Sequence, residues 1–99
     1  MPQMQRVSRN NTKIRHEAGT TTIKLYNTDV VEFNTDTITL RSGGHHTATT
    51  RCRMNQASHQ YNLDFHVYQE DFAWYVAFAG GEIKFHDGMV LYRNGDDHD

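Results

Sequence analysis

The sequence predicts an α+β domain of antiparallel strands carrying a single helix, in the order β-β-β-α-β-β-β-β. Three observations predict it. Apolar and polar residues alternate in short runs on both sides of the chain's centre, the spacing of half-buried strands. Those runs are joined by short polar or glycine turns instead of helices, which points to hairpins and excludes a parallel sheet. One segment only, 48–61, abandons period 2 for a helical spacing.

The first strand is expected from Thr20, where Ile23 and Leu25 alternate with Thr22, Lys24 and Tyr26 and the β-branched threonines favour extension. Asn27 to Asp29 is turn chemistry. Val31 and Phe33 then alternate with Val30 and Glu32, Asn34-Thr35-Asp36 turns again, and Ile38 and Leu40 alternate with Thr37, Thr39 and Arg41. This is a three-strand meander, closed by Gly43-Gly44. In the helical segment Thr50, Met54, Ala57 and Tyr61 form a narrow stripe flanked by Arg51 and Arg53, with Ala48, Cys52, Asn55 and His59 opposite. Thr47 or Thr49 suits the N-cap and Asn62 the exit. Alternation returns with Leu63, Phe65 and Val67 inward and Asp64, His66 and Tyr68 outward. Gln69-Glu70-Asp71 turns into a strand with Trp74, Val76 and Phe78 inward and Ala73, Tyr75 and Ala77 outward. Gly80-Gly81 turns into a short strand at Ile83–Phe85, and His86-Asp87-Gly88 into a last one at Met89–Tyr92. The expected core is Ile23, Leu25, Val31, Phe33, Ile38, Leu40, Met54, Ala57, Tyr61, Leu63, Phe65, Val67, Trp74, Val76 and Phe78.

At 99 residues and 36% hydrophobic content the chain forms one small domain, whose modest core makes self-association an expectation. Residues 1–19 lack apolar periodicity and read as a flexible basic arm, with Arg6, Arg9, Lys13 and Arg15 against Glu17; residues 94–99 read as an acidic tail, and 20–93 as the domain. A net charge of −2 gives no global field toward nucleic acid or membrane, so the arm reads as a solvated tail before it reads as a nucleic-acid contact. The single cysteine, Cys52, rules out an intramolecular disulfide. No apolar run reaches the ~20 residues of a membrane span, so a cytoplasmic protein of a reducing compartment is expected.

The run TATTRCRMNQASHQYNLDFHVYQEDFAWYV, preceded by DVVEFNTDTITLRSGG and followed by FHDGMVLY, resembles a group of small tailed-bacteriophage proteins. The likeness spans residues 20–92, and its distinctive parts are Thr47-Ala48-Thr49-Thr50, Arg53-Met54-Asn55-Gln56 and Val67-Tyr68-Gln69. It implies a phage origin, within a bacterial host, and no mechanism. The loop departs from the group in reading Gly-Gly-His-His where an aromatic is expected after the glycines.

Two surfaces carry functional expectations. At the helix entrance, Gly43, Gly44, Thr47, Thr49, Thr50 and Arg51 bring backbone amides, hydroxyls and charge to a helix N-terminus, a pattern that suits a phosphate-bearing nucleotide or nucleic-acid end. The other reading of the same residues is a Gly-Gly turn and a threonine cap, and the phosphate-loop and dinucleotide signatures are absent. On the strands after the helix, Asp64, His66, Tyr68 and Tyr75 form a polar-aromatic strip suited to a protein partner, with Tyr26 and Tyr92 as possible extensions. The bland reading there is a solvated face. No metal ligand set, cofactor motif or complete catalytic motif is present: His45-His46-Thr47 supplies one of the two elements a two-histidine phosphoesterase needs, and Cys52 has no evident base. The expected function is a non-enzymatic interaction protein that self-associates and binds a host or phage protein, with a phosphate-ligand module as the alternative.

Overall fold

The computed structural model describes residues 11–93. Four strands precede the helix and four follow it: β1 (Thr12–Glu17), β2 (Thr20–Leu25), β3 (Thr28–Phe33), β4 (Thr37–Leu40), α1 (Ala48–Tyr61), β5 (Phe65–Glu70), β6 (Ala73–Phe78), β7 (Gly81–Lys84) and β8 (Met89–Tyr92). The architecture is α+β and every strand pair is antiparallel.

Two features correct the sequence expectation. First, part of the expected arm is structured: Thr12–Glu17 pairs with β2 in register from Thr12↔Leu25 to Glu17↔Thr20. Thr12, Ile14 and His16 share the face toward the helix, with Thr12 and Ile14 half-buried and His16 exposed, so only one is aliphatic and no apolar alternation shows. Polar contacts hold it instead: the Arg53 Nε donates to the Thr12 hydroxyl at 2.9 Å, and the His16 ring meets Tyr61 edge-on at 6.2 Å. The rest of that arm, residues 1–10, and the acidic tail, 94–99, lie outside the described residues. Second, the strands form two sheets, β1-β2-β3-β4-β8 and β5-β6-β7. The His86-Asp87-Gly88 turn therefore does not close a hairpin. It carries the chain from one sheet to the other, where β8 lies beside β4 with Leu40 opposite Met89.

One core joins both sheets and the helix. All the expected core residues belong to it, Tyr61 and Phe78 as half-buried members, and it also takes in Val30, Phe85, Met89 and Leu91. Val30 is inward because the β2–β3 register slips after Ile23: Ile23 faces Val31 but Lys24 faces Asp29, leaving Val30 as the extra residue of a bulge that turns it toward the core.

The helix does two jobs. Its expected stripe packs on the sheets, with Thr50, Met54 and Ala57 buried. A second, polar line of contact covers the edge of β5. The Asn55 amide donates to the Val67 carbonyl at 2.9 Å while its oxygen accepts from the Val67 N–H at 2.8 Å. Ser58 does the same for Phe65, donating to its carbonyl at 2.6 Å and accepting from its N–H at 3.0 Å. Two side chains thus stand in for a missing strand, so these edge groups are not left unpaired. Asn55 is therefore a packed residue and not one of the solvent side, as the narrow stripe alone would have it.

Candidate functional site

At the helix entrance, the Thr47 hydroxyl caps α1 by accepting from the Thr50 N–H at 3.2 Å, and the two hydroxyls lie 3.0 Å apart. Thr47, Thr49 and Thr50 line a cleft of about 300 Å³ together with Leu25, Tyr26 and His45, among others. The remaining members of the expected anion site go elsewhere. Gly43 and Gly44 adopt φ of +65° and +84°, and a methyl at Gly43 would collide with the Thr28 hydroxyl, so the first glycine is required by backbone angle and by space. The loop they form already holds an anion, the chain's own Asp87. Its carboxylate accepts from the Ser42 N–H, from the Ser42 hydroxyl at 3.0 Å and from the Gly43 N–H at 3.3 Å. Partial burial pushes the Asp87 carboxyl up, but the hydrogen bonds from Ser42 and Gly43 outweigh it and hold the group below its ordinary range.

Arg51 does not stand at the mouth of the cleft. Its guanidinium lies over the Trp74 ring at 5.8 Å, and Arg51 is not among the residues that line the cleft. His46 stacks on the same ring at 4.6 Å and Phe85 meets it edge-on at 5.3 Å. Adjacent His45 and His46 thus point apart, one to the cleft and one to the tryptophan. Of the expected set, three threonines share a cleft, the Gly43 amide serves Asp87, the Gly44 amide donates to the Ser42 hydroxyl at 3.1 Å, and the arginine serves Trp74. Among the described residues no group of three His, Cys, Asp or Glu side chains converges as a metal site would need.

The strip on the three-stranded sheet is assembled as alternation requires. Tyr68 faces Tyr75 across the β5–β6 ladder and His66 faces Ala77. Tyr68 stacks on Tyr75 at 5.7 Å and 27°, and His66 stacks on Tyr68 at 6.2 Å and 14°, giving one aromatic ladder on the outward face. Asp64 stands at its end, one residue before β5 in a left-handed conformation with φ +62°. Tyr26 and Tyr92 belong to the other sheet, at the β2–β3 turn and in β8, and do not extend the strip. Glu70, Glu82 and Asp64 border the ladder, and Lys84 lies opposite Tyr75. The Tyr68 hydroxyl is pushed above its ordinary range, first by its partial removal from water, then by its hydrogen bond to Glu82 and by the charges of Glu82 and Glu70.

The residue that sequence reasoning missed is Phe72. The β5–β6 connection is two residues, Asp71-Phe72, with φ of +53° and +67°. Such paired left-handed residues match the twist of a hairpin and ordinarily place glycine second. Two other hairpins of this chain do so, with Ala18-Gly19 and Ala79-Gly80 both at positive φ. Here a phenylalanine takes the glycine's place and is 97% exposed. A left-handed non-glycine residue costs about 1–2 kcal/mol, and an aromatic in water recovers none of it. The signal was present in the Gln69-Glu70-Asp71-Phe72-Ala73 run: once strands are assigned on both sides, only two residues remain for the turn.

The fold and its surfaces define a small α+β domain with an aromatic sheet face and an aromatic hairpin tip. The chain belongs to the Kyanoviridae Gp96 protein family, whose model matches residues 2–95, and is thus a tailed-phage protein. No curated protein and no solved structure matches the chain. No helix among the described residues is long and apolar enough to cross a membrane.

Proposed function

We propose that this is a non-enzymatic binding protein that works in the cytoplasm of the infected bacterium. It docks a basic segment of a host or phage protein on the outward face of β5–β6. Phe72 carries the reading. Strain held at a fully exposed position is unrewarded in the free protein, and strained residues gather where a ligand contact offsets their cost. From the hairpin tip the ring can insert into a partner's pocket, while the Tyr68–Tyr75–His66 ladder offers a flat contact behind it. The carboxylates of Asp64, Glu70, Asp71 and Glu82, against one Lys84, favour lysine or arginine over the tyrosine faces and oppose a phosphate backbone. The test is affinity capture from infected host cells with wild type and the Phe72→Gly and Tyr75→Ser variants, all checked for cooperative melting. A partner retained by wild type and lost from both folded variants supports the reading; equal capture by all three overturns it.

The helix entrance supports a second reading, a phosphate-bearing ligand in the cleft beside Thr47, Thr49 and Thr50. Asp87 in the neighbouring loop opposes it by charge and by occupying the Gly43 amide. Phosphate or ATP that raises the wild-type melting temperature would favour this reading, and no shift removes it.

A further inference from the structure

We propose that β8 pairs with β8 of a second copy, joining two five-stranded sheets edge to edge about a two-fold axis. The two sheets end in four strand edges among the described residues, and three are protected. β1 carries Lys13, Arg15 and Glu17, and β7 carries Glu82 and Lys84, charges of the kind that block strand addition. The β5 edge is covered by Asn55 and Ser58. β8 has neither device. It reads Met-Val-Leu-Tyr, with no charge or proline along its length, and it presents Val90 and Tyr92 at 41% and 65% exposure.

Its open groups are self-complementary. The Arg93 N–H donates to the Asp36 carbonyl, and Leu91 lies two residues back opposite Ile38, so the groups of Leu91 face β4. Alternation then turns the N–H and C=O of Val90 and Tyr92 toward the open side. A two-fold axis perpendicular to the sheet keeps each face on its own side, which requires one residue to sit opposite itself. With Leu91 on the axis, Val90 lies opposite the partner's Tyr92, and each such pair exchanges two hydrogen bonds. A β-branched residue beside an aromatic is a favourable cross-strand neighbour. Arg93 falls opposite the partner's Met89, so no like charges meet. A centre on Val90 would instead set Tyr92 opposite the left-handed Gly88 of the partner, where the ladder ends.

The short strand makes the dimer concentration-dependent, so sedimentation velocity over about a hundredfold range of protein concentration is the test. Wild type should pass from monomer to dimer. Val90→Pro removes an N–H that donates to no group in the monomer, so the melt should persist while the dimer is lost. Val90→Lys should weaken association about tenfold or more by placing two ammonium groups near the axis. The register has its own test: in a Cys52→Ser background, the Val90→Cys/Tyr92→Cys double variant should oxidise to a covalent dimer, because hydrogen-bonded opposite residues are within disulfide reach, while Val90→Cys alone should not, since only a Val90-centred register sets that residue opposite itself. A wild type monomeric throughout overturns the proposal. So does a dimer that survives both Val90 variants unchanged. Neither outcome bears on Phe72, which lies in the other sheet.

Discussion

Substituting Phe72→Gly is expected to stabilise the protein and to abolish partner capture together, because the same residue carries the strain and the exposed ring. With the side chain 97% exposed, its removal forfeits almost no burial within the monomer. At φ +67° a non-glycine residue costs about 1–2 kcal/mol, and glycine returns that amount. Against it stands the larger entropy glycine brings to the unfolded chain, about 0.5–1 kcal/mol. The net gain is about 0–1.5 kcal/mol. For a domain of this size each kcal/mol moves the melting temperature by about 4–8 °C, so a rise of about 3–6 °C follows at the middle of that range and about 12 °C is its ceiling. Differential scanning calorimetry of wild type and variant measures it, with Phe72→Ala as control: alanine removes the ring but keeps the strain, so its melt should stay near that of wild type. A Phe72→Gly melt below wild type would refute the reasoning, showing either that the ring packs or that the turn is not left-handed.

Ser58→Ala should destabilise by about 1–3 kcal/mol, since the buried N–H and C=O of Phe65 both lose their partner; urea melts give the value. Asp87→Asn should lower the melting temperature at neutral pH. The Asp87 carboxyl titrates lower folded than unfolded, so its stabilisation is present above about pH 4 and is lost as pH falls through the folded value. The asparagine variant should lack that part of the acid-induced loss in a pH series of melts. Trp74→Ala, at 4% exposure and with His46, Phe85 and Arg51 gathered on the ring, should cost about 3–5 kcal/mol; a shift of a degree or two would place the ring on the surface.

The sequence was most legible where one face of a strand is aliphatic. Ile23, Val31, Ile38, Val67 and Val76 alternate plainly, and each is buried at 1% exposure or less. It was least legible where polar side chains do the packing. β1 half-buries only Thr12 and Ile14 and leaves His16 exposed, so it shows no apolar alternation, and Asn55 and Ser58 look like surface residues until a strand edge is laid beside them. Val30 needed the bulge, which depends on pairing and not on composition. The candidate strip was legible because period 2 alone sets Tyr68 and Tyr75 on one face. The helix entrance was not, because Asp87, which fills the glycine loop, comes from the connection between two different sheets.

That connection has a consequence for the order of assembly. The strands β1 to β4 and β5 to β7 each close by hairpins between sequence neighbours, contacts that form early because little chain must be gathered. β8 reaches β4 across the whole helix and the second sheet, with Leu40 waiting for Met89. β4 therefore has one flank that no sequence neighbour can cover, and it stays bare until β8 docks. The Asp87 clasp on Ser42 ties the same two segments together, so until both are in place Thr37–Leu40 is the strand most open to mispairing.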